Sequence, residues 1–245
     1  MEKPKRIRID RLLVDHGYFE SRERAQRSIL AGQVLVEESV IDKPGTLVRS
    51  NAAVRVVGEE KYVGRGGYKL EAALDHFAIN PTDLVCLDVG ASTGGFTDCL
   101  LQRGAGRVIA IDVGHNQLAW KIRSHERVDA REGVNARNLT PELIGSRVQL
   151  ATVDVSFISL TLVLSSIFSC VEKGGVVIAL IKPQFELEPS QVGKGGIVRD
   201  EQARLRSVAK IQRFVIERLH REWIGVIDSP ITGAKGNREF LACLR

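Results

Sequence analysis

The sequence predicts an α/β protein in which a small α+β domain precedes a larger domain built on a mostly parallel sheet. Two observations predict this. From Leu84 onward, short apolar runs alternate with amphipathic helical segments, the pattern of a parallel sheet with helices on both faces. Residues 6–57 instead contain two short helical segments followed by β-like pieces divided by turns. The 245 residues can bury a core in each domain, and we predict domains at 1–58 and 68–245 with a linker at 59–67.

The first domain is predicted to open with a short amphipathic helix, RIDRLLVDHGYF, that ends near Gly17. The next segment, SRERAQRSILAG, predicts a second helix with Ser21 as its N-cap and Gly32 at its C-terminal end. Short strands are predicted at QVLVE, SVI and AAVRVVG, with turns at DKPGT and SNA.

The order and spacing of these elements resemble the S4 RNA-binding domain over nearly the whole segment. The resemblance implies that the second helix and the basic residues around it contact structured RNA. The residues implied are Arg22, Arg24 and Arg27, with Lys5, Arg6, Arg8 and Arg11 nearby. An ordinary solvated helix face is the alternative, since Glu20 and Glu23 lie in the same stretch. The net charge of +5 agrees with a polyanionic partner but is also common in proteins without one.

The second domain is predicted as a Rossmann-like sheet, with ligands beyond the C-terminal ends of its parallel strands. Its predicted strands are LVCLDVG, GRVIAIDVG, RVDAREGVN, VQLATVDVS and GGVVIALIKP, and helices are predicted at GGFTDCLLQRG and NQLAWKIRSH. A long helix, EQARLRSVAKIQRFVIERLH, precedes two further strands, EWIGVIDSPI and EFLACLR. These two strands could close the sheet as an antiparallel hairpin.

The uncharged run at 155–171, VSFISLTLVLSSIFSCV, is only slightly shorter than a membrane-spanning helix. Its large apolar residues recur every three or four positions, at Leu160, Val163, Leu164, Ile167, Phe168 and Val171. This spacing predicts one buried face of a helix packed on a sheet, and no membrane partner is expected.

The expected location is the cytoplasm. The basic N-terminus, MEKPKRIRID, has no apolar segment behind it, so no signal peptide is expected. The four cysteines, at 86, 99, 170 and 243, form no C-x-x-C pair, which favours buried free thiols in a reducing compartment.

The strongest cofactor signal is LDVGASTGGFTD, which reads as a strand, a glycine-rich turn and a helix. Its glycines follow G-x-x-x-G-G and not the dinucleotide pattern G-x-G-x-x-G. With an aspartate in front, it resembles the first motif of S-adenosylmethionine-dependent methyltransferases. Asp112, at the end of the next strand, can accept hydrogen bonds from two ribose hydroxyls. This position indicates a cofactor that contains adenosine, but NAD enzymes use the same contact, so it does not identify which cofactor. The predicted cofactor-binding residues are Asp88, Gly90, Ser92, Gly94, Gly95, Asp112 and Asn135, with either Glu132 or Asn135 near the adenine.

Four charged residues are predicted to meet at the same edge of the sheet. Asp154 and Lys182 end successive strands, and Glu239 begins the last strand. Lys69 lies at the front of a helix-like run in VGRGGYKLEAAL. Each of these residues could instead have a purely structural role, since Asp154 could cap the following helix and the others could be surface charges.

This Lys-Asp-Lys-Glu set resembles the tetrad of the FtsJ-like RNA ribose 2′-O-methyltransferases. The S4-like domain together with VGRGGYKL, DVGASTGGFTD, DVSFISL, KPQFE, GKGGIVRD and GNREFL, in this order, resembles the TlyA family over essentially the full chain. The family implies methylation of cytidine 2′-hydroxyls in ribosomal RNA, within assembled subunits. It also implies S-adenosylmethionine as the cofactor and no metal, and the five histidines form no ligand cluster.

The chemistry implied for the tetrad begins with a ribose hydroxyl, which is a poor nucleophile and must lose its proton. Lys182, if neutral, could act as general base, and Lys69 could stabilise the developing alkoxide. Asp154 and Glu239 would orient the two amines. A nearby lysine favours the neutral form of Lys182, and nearby carboxylates favour its charged form. The sequence therefore does not determine the protonation state of Lys182.

Two glycine-rich segments lie outside the predicted elements. The glycines of VGRGG could form a hinge between the domains, and Arg65 within it is predicted to bind RNA. The segment at 184–200, QFELEPSQVGKGGIVRD, could be a flexible lid with Lys194 near a phosphate, or a disordered surface loop.

Two other functions remain as alternatives. The first is a catalytically inert S4 RNA-binding factor associated with the ribosome. The second is a membrane-active cytolysin, which the hemolysin label attached to the family suggests.

Overall fold

A computed structural model describes residues 6–58 and 61–245. The chain divides into two compact units, Met1–Glu60 and Lys61–Arg245, and each is described by itself. Lys5 and the first two positions of the predicted linker lie outside the described residues.

The first unit has the predicted α+β composition. Its elements in chain order are β1 (Arg6–Arg8), α1 (Ile9–Asp15), α2 (Arg22–Leu30), β2 (Val34–Val36), β3 (Ser39–Ile41), β4 (Leu47–Arg49) and β5 (Val54–Val56). Strand β2 pairs with β3 and β5, and β1 pairs with β4. The hydroxyl of Ser21 accepts a hydrogen bond from the Arg24 amide, which confirms the predicted N-cap. Strands β1 and β4 were not predicted.

The second unit contains a seven-stranded sheet in the order β11-β12-β10-β9-β6-β7-β8. The strands are β6 (Val85–Val89), β7 (Arg107–Asp112), β8 (Val128–Glu132), β9 (Val148–Val153), β10 (Val171–Ile181), β11 (Trp223–Asp228) and β12 (Phe240–Leu244). Strand β12 runs antiparallel to β10 and β11, and the remaining pairs are parallel. The predicted α/β class and the closing antiparallel hairpin are therefore confirmed.

Helices cover both faces of this sheet. They are α3 (Gly66–His76), α4 (Gly95–Gln102), α5 (Trp120–Arg123), α6 (Pro141–Ile144), α7 (Leu164–Cys170), α8 (Pro183–Glu186) and α9 (Glu201–Arg213). One core contains Leu87, Ile109 and the inner face of α7, and the other contains Cys86, Val108 and the inner faces of α3 and α4. Neighbouring strand residues thus point to opposite cores. The four cysteines are free and buried, as predicted.

Two predicted helices are shorter in the structure. The helix expected at 116–125 is reduced to α5, because the Ala119 amide donates to the Thr93 carbonyl and holds the preceding residues on the glycine-rich turn. The helix expected at 155–171 is α7, preceded by a 3₁₀ turn at Leu160–Leu162. All six residues of its predicted apolar face are buried. Within the described ranges, no helix is long and apolar enough to cross a membrane.

The glycine-rich segment that was predicted as a hinge packs against the second unit. Tyr62 is buried, and the Val63 amide donates to the Asp98 carboxylate over 2.8 Å. Gly66 and Gly67 already belong to α3. A β-carbon at position 67 would overlap the Tyr62 ring. These glycines therefore permit close packing, and the structure assigns residues 61–67 to the second unit.

Replacing Gly67 by alanine should destabilise the protein by about 1–3 kcal/mol, because the added methyl group overlaps the buried Tyr62 ring. The overlap should outweigh the gain of about 1 kcal/mol that alanine normally brings to a helix. Gly58→Ala is the control, since a β-carbon there meets nothing within 4 Å. Urea unfolding measures both variants. A Gly67→Ala protein as stable as the wild type would contradict the close packing.

Candidate active site

Three of the four predicted catalytic residues lie at adjacent strand ends. Asp154 follows β9, Lys182 follows β10 and Glu239 precedes β12. Ala179 pairs with Val153, and Ile181 pairs with Phe240, so the register brings these ends to one edge. Lys69 reaches the same edge from α3.

The four residues form two lysine–carboxylate pairs. Lys69 Nζ donates to Glu239 Oε2 over 2.6 Å, and both side chains are buried. Lys182 Nζ lies 2.6 Å from Asp154 Oδ1 and donates to Ser156 Oγ over 2.7 Å. The contact with Asp154 is ionic, without hydrogen-bond alignment at the oxygen. Ser156 was not predicted, because nothing in the sequence distinguishes it from the other serines of this run.

A cleft of about 650 Å³ opens beside Asp154, a size typical of small-molecule sites. It includes five of the predicted residues: Gly90, Ser92, Asp112, Asn135 and Asp154. It also includes residues that were not predicted, among them Val113, Gly114, Gln117, Arg137, Ser156, Phe157 and Ile158.

The backbone of the glycine-rich turn shapes this cleft. Asp112 accepts hydrogen bonds from the amides of Ser92 (2.8 Å) and Gly114 (2.7 Å), which fixes its carboxylate at the cleft wall. Gly90 has a φ of +84°, and a β-carbon there would lie 2.5 Å from the Asp154 carbonyl oxygen. Only glycine lets the end of β6 approach Asp154 this closely.

Three predicted cofactor residues do not line the cleft. Gly94 and Gly95 form the turn into α4, and Gly95 packs against the carbonyl of Gly64. Asp88 is fully buried, and its carboxylate accepts hydrogen bonds from the hydroxyls of Thr97 (2.6 Å) and Thr152 (3.0 Å). It therefore joins β6 to α4 and β9 beneath the turn.

The two residues predicted near the adenine differ in their contacts. Asn135 lines the cleft, and the Glu132 carboxylate accepts a hydrogen bond from the Asn116 amide over 2.8 Å. Asn135 Oδ1 accepts from the Arg137 amide, which leaves the Asn135 amide group as a donor.

Burial raises the pKa of Asp88 from its ordinary value of 3.8 to about 6. The folded protein then binds more protons than the unfolded chain between about pH 4 and 6, so this carboxyl lowers stability as pH rises through that window. Relative to Asp88→Asn, the wild type should lose up to about 3 kcal/mol of unfolding free energy between pH 4 and 7. Urea unfolding at a series of pH values measures the difference. A constant difference would contradict the raised pKa.

The six described basic residues predicted for the S4-like unit are all exposed, but two of them also organise the fold. Buried Asp10 accepts hydrogen bonds from Arg8 (3.0 and 2.9 Å), Arg22 (2.9 Å) and Gln26 (2.9 Å). The hydrogen bonds from Arg8, Gln26 and Arg22 together hold the pKa of Asp10 well below its ordinary range, against the opposing effect of its burial.

The other four basic residues differ in their partners. Arg24 pairs with Glu20 and Arg11 with Asp15, whereas Arg6 and Arg27 have no carboxylate partner in the part of the chain that the structure describes. A groove of about 730 Å³ in this unit is lined by Arg24, Arg27 and their neighbours.

The second unit also carries a pair of aromatic rings and two predicted RNA-binding cations in its loops. Phe157 is 90% exposed, has a φ of +63° and lies 5.1 Å from Phe185 between ring centroids. Arg65 donates to the Thr232 carbonyl over 3.0 Å, and Lys194 is exposed. Among the described residues, no group of three or more His, Cys, Asp or Glu is arranged to hold a metal.

Comparisons with known proteins match both units. An FtsJ-like methyltransferase model matches residues 62–245, and an S4 domain model matches residues 7–54. The 16S/23S rRNA (cytidine-2′-O)-methyltransferase TlyA of Mycobacterium tuberculosis is 46% identical over 98% of this chain and 90% of its own. Hemolysin A of Brachyspira hyodysenteriae is 43% identical over 96% and 98%. A solved structure from Streptococcus thermophilus that carries a hemolysin name is 41% identical, with a TM-score of 0.75 over 99% of this chain and 89% of its own.

Proposed function

The chain belongs to the TlyA family of FtsJ-like methyltransferases, and from this membership we propose that it methylates the ribose 2′-hydroxyl of cytidine in ribosomal RNA. The observation that supports the proposal most is the pair of lysine–carboxylate contacts at the ends of β9, β10 and β12, beside the cleft. At this edge, two amines and two carboxylates would surround the hydroxyl that must lose its proton.

The cleft suits S-adenosylmethionine, which would supply an electrophilic methyl group. Asp112 would accept hydrogen bonds from the ribose hydroxyls of this cofactor, because its backbone contacts leave lone pairs on both oxygens. The turn at Gly90 and Ser92 would lie along the cofactor, and Asn135 would face the adenine.

Lys182, in its neutral form, would then take the proton from the RNA 2′-hydroxyl as the ribose oxygen receives the methyl group. Asp154, 2.6 Å away, stabilises the ammonium that this proton transfer produces, and Ser156 fixes the direction of the amine. The ammonium of Lys69, held by Glu239, stabilises the negative charge that develops on the ribose oxygen.

The proposed substrate is RNA within ribosomal subunits. Exposed Arg6 and Arg27 on the S4 domain offer charges for structured RNA, and exposed Phe157 at the cleft offers a face on which a base can stack. The M. tuberculosis relative is named for action on 16S and 23S rRNA cytidines. The four buried free thiols agree with a cytoplasmic site of action.

The test is incubation of the protein with methyl-labelled S-adenosylmethionine and, separately, with small subunits, large subunits and naked ribosomal RNA. We expect label in the 2′-O-methyl group of cytidine from at least one of these substrates. If no substrate gains label while cofactor binding is normal, the proposed activity is wrong. A parallel arm measures leakage from lipid vesicles, since two similar proteins carry hemolysin names.

A further inference from the structure

Two loops of the methyltransferase domain are joined into one ordered structure by Asn237. Its side-chain amide donates to the Gly196 carbonyl (2.8 Å), and its oxygen accepts from the Val198 amide (2.9 Å). Lys235 Nζ donates to the Gly195 carbonyl over 3.1 Å. Asn237 is only 3% exposed, so the hydrogen bonds of its own side chain are shielded from water, whereas that of Lys235 is exposed. The loop at 193–199 belongs to the segment at 184–200 that was predicted as a flexible lid or a disordered surface loop, and these contacts attach it to the loop at 232–238.

The second loop lies directly against the catalytic pair. Gly233 packs so closely on the Glu239 carboxylate that a β-carbon at this position would overlap it. Arg65 binds the neighbouring Thr232 carbonyl from the start of α3, the helix that carries Lys69. The joined loops therefore border the proposed site for the ribose.

Five exposed cations lie on this border, and we name them the basic rim: Arg65, Lys194, Arg199, Lys235 and Arg238. Within residues 6–58 and 61–245 none of the five forms an ion pair with a carboxylate, whereas Arg103, Arg107 and Arg131 on the same domain are paired. The nearby carboxylate of Asp200 caps α9 and pairs with Arg206. The charge of the basic rim is therefore not neutralised by the protein.

We propose that the basic rim binds the backbone phosphates of the RNA nucleotides that flank the target ribose, an inference that rests on the proposed function. Each ribose within an RNA strand is linked to a phosphate on both sides, so a ribose at Lys182 brings phosphates to the border of the site. Phosphate contacts fix the position of the strand without reading its sequence. The S4 domain would then hold structured RNA, and the basic rim would place the individual nucleotide.

The test is the triple variant Lys194→Gln, Arg199→Gln, Arg238→Gln in the full chain. It leaves Arg65 and Lys235 in place, because both hold loop carbonyls. The matched control is Arg147→Gln, Lys173→Gln, Arg213→Gln, which removes the same charge from three exposed cations near the opposite ends of the strands, again without carboxylate partners in the described residues. A charge-retaining variant, Lys194→Arg, Arg199→Lys, Arg238→Lys, tests whether positive charge at these positions is sufficient for RNA binding.

Affinity for purified ribosomal subunits and naked ribosomal RNA is measured over a salt series, without methyl donor, and KM and kcat are measured separately. We expect the rim variant to weaken RNA binding by about tenfold or more and to reduce the salt slope by about two to three, one for each lost phosphate contact. S-adenosylmethionine affinity should not change. The charge-retaining variant should bind like the wild type.

The proposal that the basic rim binds phosphates is wrong if the rim variant keeps the RNA affinity and salt slope of the wild type. It is also wrong if the rim variant and the matched control lose RNA affinity equally. A wild-type chain that binds no RNA would overturn it as well. A chain that binds RNA through the rim but transfers no methyl group would overturn only the proposed function.

Discussion

Replacing Lys182 by alanine is expected to lower the rate of methyl transfer by about 10²–10⁴-fold, the range typical for loss of a general base. The amine of Lys182 is the group that Asp154 and Ser156 hold at the end of β10. Without it, the ribose hydroxyl has no amine at this position to receive its proton. Cofactor affinity should stay nearly constant, because Lys182 does not line the cleft.

The measurement combines single-turnover methyl transfer with equilibrium binding of S-adenosylmethionine. The matched control is Lys173→Ala, since Lys173 lies on the same strand near its opposite end and is exposed. The control should transfer methyl groups at the wild-type rate. Unchanged turnover in Lys182→Ala would remove this lysine from the mechanism.

Replacing Asp112 by alanine is expected to weaken binding of S-adenosylmethionine by about 10²–10⁴-fold. Two hydrogen bonds to a charged carboxylate contribute about 1.5–3 kcal/mol each, and every 1.4 kcal/mol or so is a tenfold change in affinity. The substitution also releases the amides of Ser92 and Gly114, which the carboxylate now holds in place. Both effects weaken the binding of S-adenosylmethionine.

Calorimetric titration gives the affinity, and loss of the ligand-induced rise in melting temperature provides a second readout. Asp129→Ala is the control, because Asp129 lies on the neighbouring strand and pairs with Arg107 and Arg131 outside the cleft. Asp112→Ala should still bind RNA, since the basic rim and the S4 domain are unchanged. An unaltered cofactor affinity would show that Asp112 does not contact the ribose.

The alternation of strands and helices was readable from the sequence because both faces of the large sheet are buried. Strands such as β6 and β7 are therefore continuous apolar runs, and the helices between them show apolar residues every three or four positions. Helix ends were less predictable. The segment after Asp154 has a helical pattern, but its first residues form the cleft wall.

The residues of the candidate site could be predicted from the sequence where they lie at the end of a predictable strand. Asp112, Asp154, Lys182 and Glu239 each follow or precede a clear apolar run, so their common edge follows from a parallel sheet. Ser156 and Asn237 carry no such signal. Asp88 carries a motif signal, yet its contacts are with Thr97 and Thr152 beneath the turn.

The sequence by itself determined the two domains, the fold class and the edge of the sheet at which the charged residues gather, since these depend on periodic burial along the chain. Only the tertiary structure decided which lysine pairs with which carboxylate, that Val63 of the VGRGG segment binds Asp98, and that Asn237 joins two loops. The physical reason is that each of these features is a contact between residues far apart in sequence. Its energy depends on distances of a few ångströms that no local pattern encodes.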